Sequence, residues 1–314
     1  MNEKNTTTET IRINKYLSNA GICSRREADQ YTDAGRITAD GKKVSTGERI
    51  SPDSVICLDG KPIHVEKKQV LLLFYKPRGI VCSTKKQRQE TTVTEYLNYP
   101  LRIYPVGRLD KESEGLLLLT NQGDLVNRIM RAGNYHEKEY LVKVDKEITP
   151  EFIRQMANGV PILHTVTRKC LVEKTGKNTF RIILTQGLNR QIRRMCAYLG
   201  YQVESLKRIR IMNLTLDGLK PGAYREILPT EWQNLEEMLK DSSNETVTGG
   251  HYGNNPAANE RSGQKTQSGR QGILSGRPGD HGQPGVRRPV QQAGANGKGN
   301  RHRTSRQSNR KRRI

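Results

Sequence analysis

The fold is decided by the stretch Gly107-Arg108-Leu109-Asp110-Lys111-Glu112-Ser113-Glu114-Gly115-Leu116-Leu117-Leu118-Leu119-Thr120, in which a charged loop leads into an apolar run. A short, continuous apolar run bounded by polar residues is typical of a strand that is buried on both faces. We therefore expect Asp110 at the mouth of a buried strand, with Arg108 two residues before it. The residues alone favour a structural ion pair in this loop over a catalytic carboxylate.

The segments around this strand predict an α+β domain over residues 70–240. Strands are expected at 70–75, 116–120, 140–144, 170–173, 180–185 and 203–211, and helices at 125–131, 150–158 and 190–199. Thr149 and Pro150 suit the cap and first position of the second helix, and Thr230 with Gln233 resembles a capping box for a last helix. Because most strands are joined by hairpins or single helices, we expect a mixed, mainly antiparallel sheet.

A smaller unit, predicted over residues 11–68, precedes this domain. An apolar helical stripe begins near Asn14, and Ser24 with Glu27 forms a capping box for a second helix that Gly35 ends. Asp-Gly pairs at 40–41 and 59–60 separate short apolar-alternating runs, which is a strong hairpin signal. The sequence therefore predicts two short helices followed by a small hairpin-rich sheet.

The charge of the chain indicates a polyanionic partner. Its 314 residues carry 54 Lys and Arg against 32 Asp and Glu, a net charge of +22. Residues 241–314 contain 14 basic and 4 acidic side chains, or +10, which leaves +12 for the residues before them. This last segment is rich in Gly, Gln, Asn and Arg and has no apolar periodicity, so we expect a disordered basic tail.

Several classes of protein are not expected from the sequence. No apolar run approaches the roughly 18 residues that a membrane span needs, and the polar first ten residues do not resemble a secretory signal. The five cysteines are widely spaced without a C-x-x-C pair, which argues against disulfides or zinc and for a reduced cytoplasm. We expect no metal site and no membrane partner.

The smaller unit resembles the alpha-L RNA-binding domain, the type first named for small-subunit ribosomal protein S4. The resemblance rests on 11–17, on Ala20-Gly21-Ile22-Cys23-Ser24-Arg25-Arg26-Glu27-Ala28, and on 35–37 and 40–42. It implies a helix pair that presents basic side chains to structured RNA, whereas charge alone is equally consistent with a solvated basic face. The candidate RNA-binding residues here are Arg12, Lys15, Arg25, Arg26, Lys42 and Lys43.

The larger domain resembles the pseudouridine synthases that carry this RNA-binding domain at their N-terminus. Gly-Arg-Leu-Asp followed by Ser-x-Gly-Leu-Leu-Leu-Leu-Thr-Asn looks like their catalytic signature. Three further motifs agree in order: Lys76-Pro77-Arg78-Gly79, His136-Glu137-Lys138-Glu139-Tyr140-Leu141-Val142, and Gln186-Gly187-Leu188-Asn189-Arg190-Gln191-Ile192-Arg193-Arg194-Met195. Runs at 131–134 and 159–163 look most like members that act on large-subunit, 23S rRNA.

The resemblance implies the catalytic roles. Uridine becomes pseudouridine when the bond from ribose to base N1 breaks, the base rotates, and C5 takes the place of N1. Asp110 would attack the ribose or assist its proton loss, and Arg193 would orient this carboxylate and keep it ionised. Tyr140 would stack on the base and move a proton. No cofactor is needed for this isomerisation.

The resemblance also implies contacts with a uridine that has left its stack. Arg108 could fill the vacated space, since its planar head can stack and donate at once; the alternative is a partner for a carboxylate. Lys76 and Arg78 could bind phosphate. Lys138 shares a strand face with Tyr140 and is a further candidate for RNA binding.

Two alternatives share most of these features. A modifier of tRNA would use the same chemistry on another RNA. A non-catalytic rRNA-binding assembly factor would keep the fold without turnover, although Asp110, Tyr140 and Arg193 are all present. We expect a monomer whose partner is 23S rRNA or a large-subunit assembly intermediate.

Overall fold

The computed structural model describes residues 10–64, 68–83 and 89–243. The smaller unit contains β1 (Ile11–Arg12), α1 (Ile13–Asn19), α2 (Arg25–Asp33), β2 (Ile37–Ala39), β3 (Lys42–Lys43), β4 (Arg49–Ile50), β5 (Ile56–Leu58) and β6 (Lys61–Pro62). Its four-stranded sheet has the order β3-β2-β5-β6, and β1 pairs with β4. The expected tail over 241–314 lies outside the described residues from position 244 onward.

The predicted local signals of the smaller unit are confirmed. The Ser24 hydroxyl accepts from the Glu27 amide at 3.2 Å, while the Glu27 carboxylate accepts from the Ser24 amide at 2.8 Å. Asp40 and Asp59 both have φ of +50°, each followed by a glycine with positive φ, as hairpin turns of this type require. Ile13, Leu17 and Ile37 are fully buried and hold the helices against the sheet.

The larger domain follows the smaller unit along the chain. Its elements are β7 (Leu71–Lys76), α3 (Val93–Leu97), β8 (Tyr104–Val106), β9 (Glu114–Thr120), α4 (Gly123–Met130), a 3-10 turn (Ala132–Asn134), β10 (Lys138–Val144), α5 (Pro150–Asn158), β11 (Pro161–Ile162), β12 (Thr165–Val166), β13 (Leu171–Gly176), β14 (Thr179–Leu184), α6 (Gln191–Tyr198), β15 (Val203–Ile211), β16 (Leu214–Thr215), β17 (Tyr224–Glu226) and α7 (Pro229–Leu239).

Nine strands of the described residues form one sheet. Its order is β13-β14-β10-β15-β9-β7-β17, with β16 paired to β15 and β8 paired to β9. Within the described part of this sheet, β9 and β15 run parallel, and the other pairs are antiparallel. The prediction of a mixed, mainly antiparallel α+β domain is confirmed.

The leucine run of β9 is buried because both faces of the sheet are covered. Leu116 and Leu118 join one apolar cluster with α4 and α7, whereas Leu117 and Leu119 join a second cluster with α3. All four are fully buried, and each contributes roughly 2 kcal/mol through burial. Strand β9 therefore anchors the loop that carries Asp110.

The described structure corrects the start of the last helix and adds elements that the sequence reading missed. Helix α7 begins at Pro229, and its cap bond runs from the Leu228 amide to the Glu231 carboxylate at 2.9 Å, so Thr230 lies inside the helix. Helix α3 was not predicted, although Thr92 and Glu95 form the same reciprocal cap as Ser24 and Glu27. In α7 and in α3 alike, the acidic residue of the cap stands at the third helical position.

Candidate active site

Asp110 lies in the loop between β8 and β9, held by buried neighbours. Leu109 is 6% exposed and its amide donates to the Cys82 sulfur at 3.3 Å. The Ser113 amide donates to the Asp110 carbonyl at 3.0 Å, which closes a turn. Because Leu109 points into the core, Asp110 is left at the surface of the loop with 28% of its side chain exposed.

Two guanidinium groups lie beside the Asp110 carboxylate, one from the residue directly before α6 and one from within α6. Oδ2 of Asp110 lies 3.5 Å from Nε of Arg193 and 3.5 Å from Nη1 of Arg190. These are ion-pair distances rather than hydrogen bonds. Arg190 is the cap residue directly before α6 and has a left-handed backbone with φ of +50°. Arg190 is a site residue that the sequence motifs did not predict, and its position three residues before Arg193 is the sequence signal for it.

The position of Arg193 is fixed by the backbone around it. Nη1 donates to the Val203 carbonyl at 3.2 Å, and Nη2 donates to the Ser113 hydroxyl at 3.2 Å. The side chain is 14% exposed. Burial lowers the pKa of Arg193, and the charge of Asp110 opposes that shift. The guanidinium therefore connects β15 to the loop of Asp110.

Tyr140 lies in β10, between Ile182 of β14 and Arg208 of β15. It packs against two apolar clusters, one of which includes Leu109, the neighbour of Asp110. A register shift separates Glu139 from Tyr140. Such irregularities re-aim side chains next to active sites. Tyr140 therefore packs in the same apolar cluster as Leu109, which directly precedes Asp110.

Lys76 and Lys138, expected to contact RNA, are buried instead. The Lys76 ammonium is fully buried and donates to the carbonyls of Pro77, Lys111 and Ser113 at 2.9, 3.3 and 2.8 Å. Lys138 donates to the His136 carbonyl at 2.8 Å. Burial lowers the pKa of Lys138 to about 8, with Arg208 and Arg168 acting in the same direction. Neither ammonium faces the surface, so we assign them to support of the loops.

Arg208 is a buried cation that the sequence reading missed. It is 1% exposed, and its Nε donates to the Leu116 carbonyl at 2.7 Å. It lies opposite Gly115 in β9 and opposite Tyr140 in β10. A Cβ at Gly115 would lie 2.2 Å from the Arg208 carbonyl oxygen. Glycine at 115 therefore permits the parallel pairing that supports this loop.

The remaining predicted cations are accessible. Arg108 is exposed, and Arg78 is exposed with its Nη2 3.4 Å from the Glu204 carbonyl. Arg12, Arg26, Lys42 and Lys43 are exposed on the smaller unit, as is Arg25, whose Nη2 lies 3.3 Å from Oδ1 of Asn14. Lys15 instead pairs with Asp124 of the larger domain at 2.7 Å.

A partly open cavity of about 720 Å³ lies between the two units. The Lys15–Asp124 pair lies at its edge, and Arg102 donates to the Cys23 carbonyl across the same boundary. Its lining is mixed in charge and includes Arg25, Glu27, Arg102 and Asp124. None of the predicted catalytic residues lines it, so the candidate active site lies elsewhere.

Comparison with known proteins identifies the family. The sequence profile described as RNA pseudouridylate synthase matches residues 70–198, and that of the S4 domain matches residues 11–56. The chain is 50% identical over 238 residues to dual-specificity RNA pseudouridine synthase RluF of Escherichia coli K12, covering 75% of this chain and 82% of that protein. The chain belongs to the pseudouridine synthase family. The resemblance found in the sequence is thus confirmed.

A second relative and a solved structure agree with this pseudouridine synthase assignment. Ribosomal large subunit pseudouridine synthase B of Bacillus subtilis is 34% identical over 242 residues, covering 74% of this chain and 98% of that protein. A crystal structure described as a pseudouridylate synthase aligns with a TM-score of 0.54 at 26% identity, covering 72% of this chain and 99% of that chain. The protein is an isomerase with an RNA substrate. Among its described residues, every helix is too short or too polar to span a bilayer.

Proposed function

We propose that this pseudouridine synthase acts on 23S rRNA, or on a large-subunit assembly intermediate, as a cytoplasmic monomer. The relatives named for a dual-specificity RNA synthase and for the ribosomal large subunit support this substrate class. The observation that carries the catalytic part is the Asp110 carboxylate, part-exposed and flanked by Arg190 and Arg193. The three side chains form a charged site at the end of a buried strand.

In the proposed reaction Asp110 acts on the ribose of a flipped uridine. The bond from C1′ to N1 breaks and the freed base rotates, after which C5 bonds to C1′. The proton lost from C5 is balanced by the proton that N1 gains. Tyr140 stacks on the base and moves the proton, while Arg193 holds the carboxylate in place. Arg108 fills the space that the flipped uridine vacates, and Arg78 binds an RNA phosphate. Both side chains are exposed.

The catalytic assignment is tested by mapping pseudouridine with carbodiimide in 23S rRNA treated with the purified full chain. Asp110→Asn should lower turnover about a thousandfold or more, because the substitution removes the anionic oxygen. Asp217→Asn is the matched control, since Asp217 is exposed and accepts a hydrogen bond from the nearby Thr215 hydroxyl at 2.8 Å. Normal turnover by Asp110→Asn would refute the assignment.

The target is tested separately. Total tRNA and 23S rRNA, each free of pseudouridine, are treated in parallel with the same enzyme. The name of the Escherichia coli relative, dual-specificity RNA pseudouridine synthase, favours a second class of RNA, and modification of tRNA in addition to 23S rRNA would support activity on both classes. Modification of tRNA alone would refute the proposed 23S target while leaving the isomerase activity intact.

We also propose that the smaller unit binds RNA phosphates through its exposed cations. Log affinity falls linearly as log salt rises, and each lost phosphate contact reduces the magnitude of that slope by about one. Arg26→Ala should reduce this slope, whereas Arg154→Ala should not, because Arg154 is paired with Glu151 on α5. Equal slopes for Arg26→Ala and the unsubstituted enzyme would exclude Arg26 from the interface.

A further inference from the structure

Tyr135 is an exposed aromatic residue in a conformation that suits small residues. It ends the 3-10 turn with φ of +54° and ψ of +26°, and 41% of the residue is exposed. Left-handed backbone is costly for a bulky residue, whereas Gly and Asn adopt it readily. The ring belongs to none of the apolar clusters formed by the described residues. Strained residues of this kind cluster at functional sites and ligand clamps.

One face of the Tyr135 ring is covered by Arg168. The guanidinium carbon lies 4.0 Å from the ring centroid, and Nη1 donates to the Ala132 carbonyl at 2.7 Å. No carboxylate of the described residues forms an ion pair with Arg168. The pair therefore presents an aromatic surface with a positive charge that forms no ion pair with an acidic side chain in the described part of the chain.

The backbone of Arg168 is fixed from two sides. Its amide donates to the side-chain oxygen of Gln186 at 3.3 Å, in the loop that leads to Arg190. The preceding residue, Thr167, closes the β11–β12 hairpin: its amide donates to the Val160 carbonyl at 3.0 Å and its hydroxyl accepts from the Val160 amide at 2.9 Å. The stacked pair is thus a preformed surface.

Both residues of the stacked pair are connected to segments that carry residues of the candidate active site. Tyr135 lies three residues before Lys138, where β10 begins, and β10 carries Tyr140. The loop that begins at Gln186 continues to Arg190, which pairs with Asp110. Short stretches of chain therefore join the stacked pair to Tyr140 on one side and to Arg190 on the other.

We propose that Tyr135 and Arg168 form a subsite for an unpaired base of the RNA substrate, next to the base that is isomerised. The base stacks on the open face of Tyr135, and Arg168 contributes a cation behind the ring and a contact with phosphate. Stacking tolerates any base because every base has an aromatic face. This subsite deepens the proposed function, from which it takes its position beside the target uridine.

The test measures binding without turnover. A fluorescein-labelled oligocytidylate, which contains no uridine, is compared with a strand of equal length whose residues are abasic, at elevated salt to weaken purely electrostatic binding. Tyr135→Asn removes the ring while keeping a residue that accepts left-handed backbone. Its affinity for oligocytidylate should fall about 5- to 100-fold, with no change for the abasic strand. Tyr135→Phe should bind both strands like the unsubstituted enzyme.

The control is Tyr198→Asn, since Tyr198 is 61% exposed near the end of α6. It should bind both strands normally. The subsite is refuted by unchanged oligocytidylate binding in Tyr135→Asn, by equal losses for the two strands, or by an equal loss in Tyr198→Asn. Because neither strand can be isomerised, a failure of the enzyme to modify 23S rRNA would contradict the proposed function without affecting this result.

Discussion

Nε of Arg193 lies 3.5 Å from Oδ2 of Asp110, while the two Nη atoms of the same guanidinium hold Val203 and Ser113. The arginine therefore joins the candidate catalytic carboxylate to β15 and to the start of β9. An ammonium group could supply the charge but not this three-way geometry.

Arg193→Lys should lower kcat about a hundredfold with a smaller change in KM, because the carboxylate keeps a cation but loses its fixed orientation. Single-turnover assays on 23S rRNA measure the effect. Arg194→Lys is the control, since Arg194 is exposed and donates to the Asn189 carbonyl at 3.1 Å. Full activity in Arg193→Lys would show that charge alone suffices.

Tyr140→Phe should bind RNA normally and turn over about a hundredfold more slowly. The ring stays in contact with its two apolar clusters, so the fold is retained, while the hydroxyl available for proton transfer is lost. Binding and turnover are measured on the same RNA. A parallel loss of both would instead indicate damage to folding.

Gly115→Ala should lower the free energy of unfolding by about 2–4 kcal/mol. Gly115 has φ of +111°, and its added Cβ would lie 2.2 Å from the Arg208 carbonyl oxygen and 2.6 Å from its nitrogen. Urea unfolding measures the change. Gly187→Ala should differ from the unsubstituted protein by less than about 0.5 kcal/mol, since nothing lies within 4 Å of its added Cβ. Equal stabilities for the two variants would contradict the prediction.

His136 should make the folded protein sensitive to acid. Burial, aided by the charge of Lys138, lowers the pKa of His136 to about 4 from an ordinary value of 6.5. Between these values the unfolded chain binds a proton that the folded chain does not, so stability falls as pH drops. From about pH 7.5 to about pH 5 the unsubstituted protein should lose about 2 kcal/mol more than His136→Asn.

Urea unfolding at the two pH values measures this difference. His164→Asn is the control, since His164 is exposed in the β11–β12 hairpin and already has φ of +59°, which Asn accepts. It should lose as much stability as the unsubstituted protein. The same acid loss in His136→Asn would show that other groups cause it.

Local patterns in the sequence were sufficient for much of the fold. The Ser24–Glu27 cap, the Asp-Gly turns and the leucines of β9 each determine structure through near neighbours, and all were predicted. The parallel contact of Gly115 with Arg208 joins distant segments and has no local signature. The burial of Lys76 was also missed, because three carbonyls from folded loops replace water around its ammonium.

The candidate site was predictable in the same uneven way. Asp110 and Arg193 lie in motifs whose resemblance to a family could be read directly. Arg190 lies directly before α6, and its left-handed backbone leads into the helix next to the Asp110 loop. This placement brings its side chain to Asp110. Tyr135 and Arg168 come from separate segments, so their stacking becomes evident only in three dimensions.

The pairing of β9 with β15 also bears on how the chain matures. The bond from Arg208 to the Leu116 carbonyl spans 92 positions, and closing so long a loop carries a large entropic cost. During synthesis from the N-terminus, the loop of Asp110 leaves the ribosome well before Val203, which anchors Arg193. A nascent chain that ends before β15 therefore carries the Asp110 carboxylate without the strand that completes its surroundings, so the candidate site is completed late in translation.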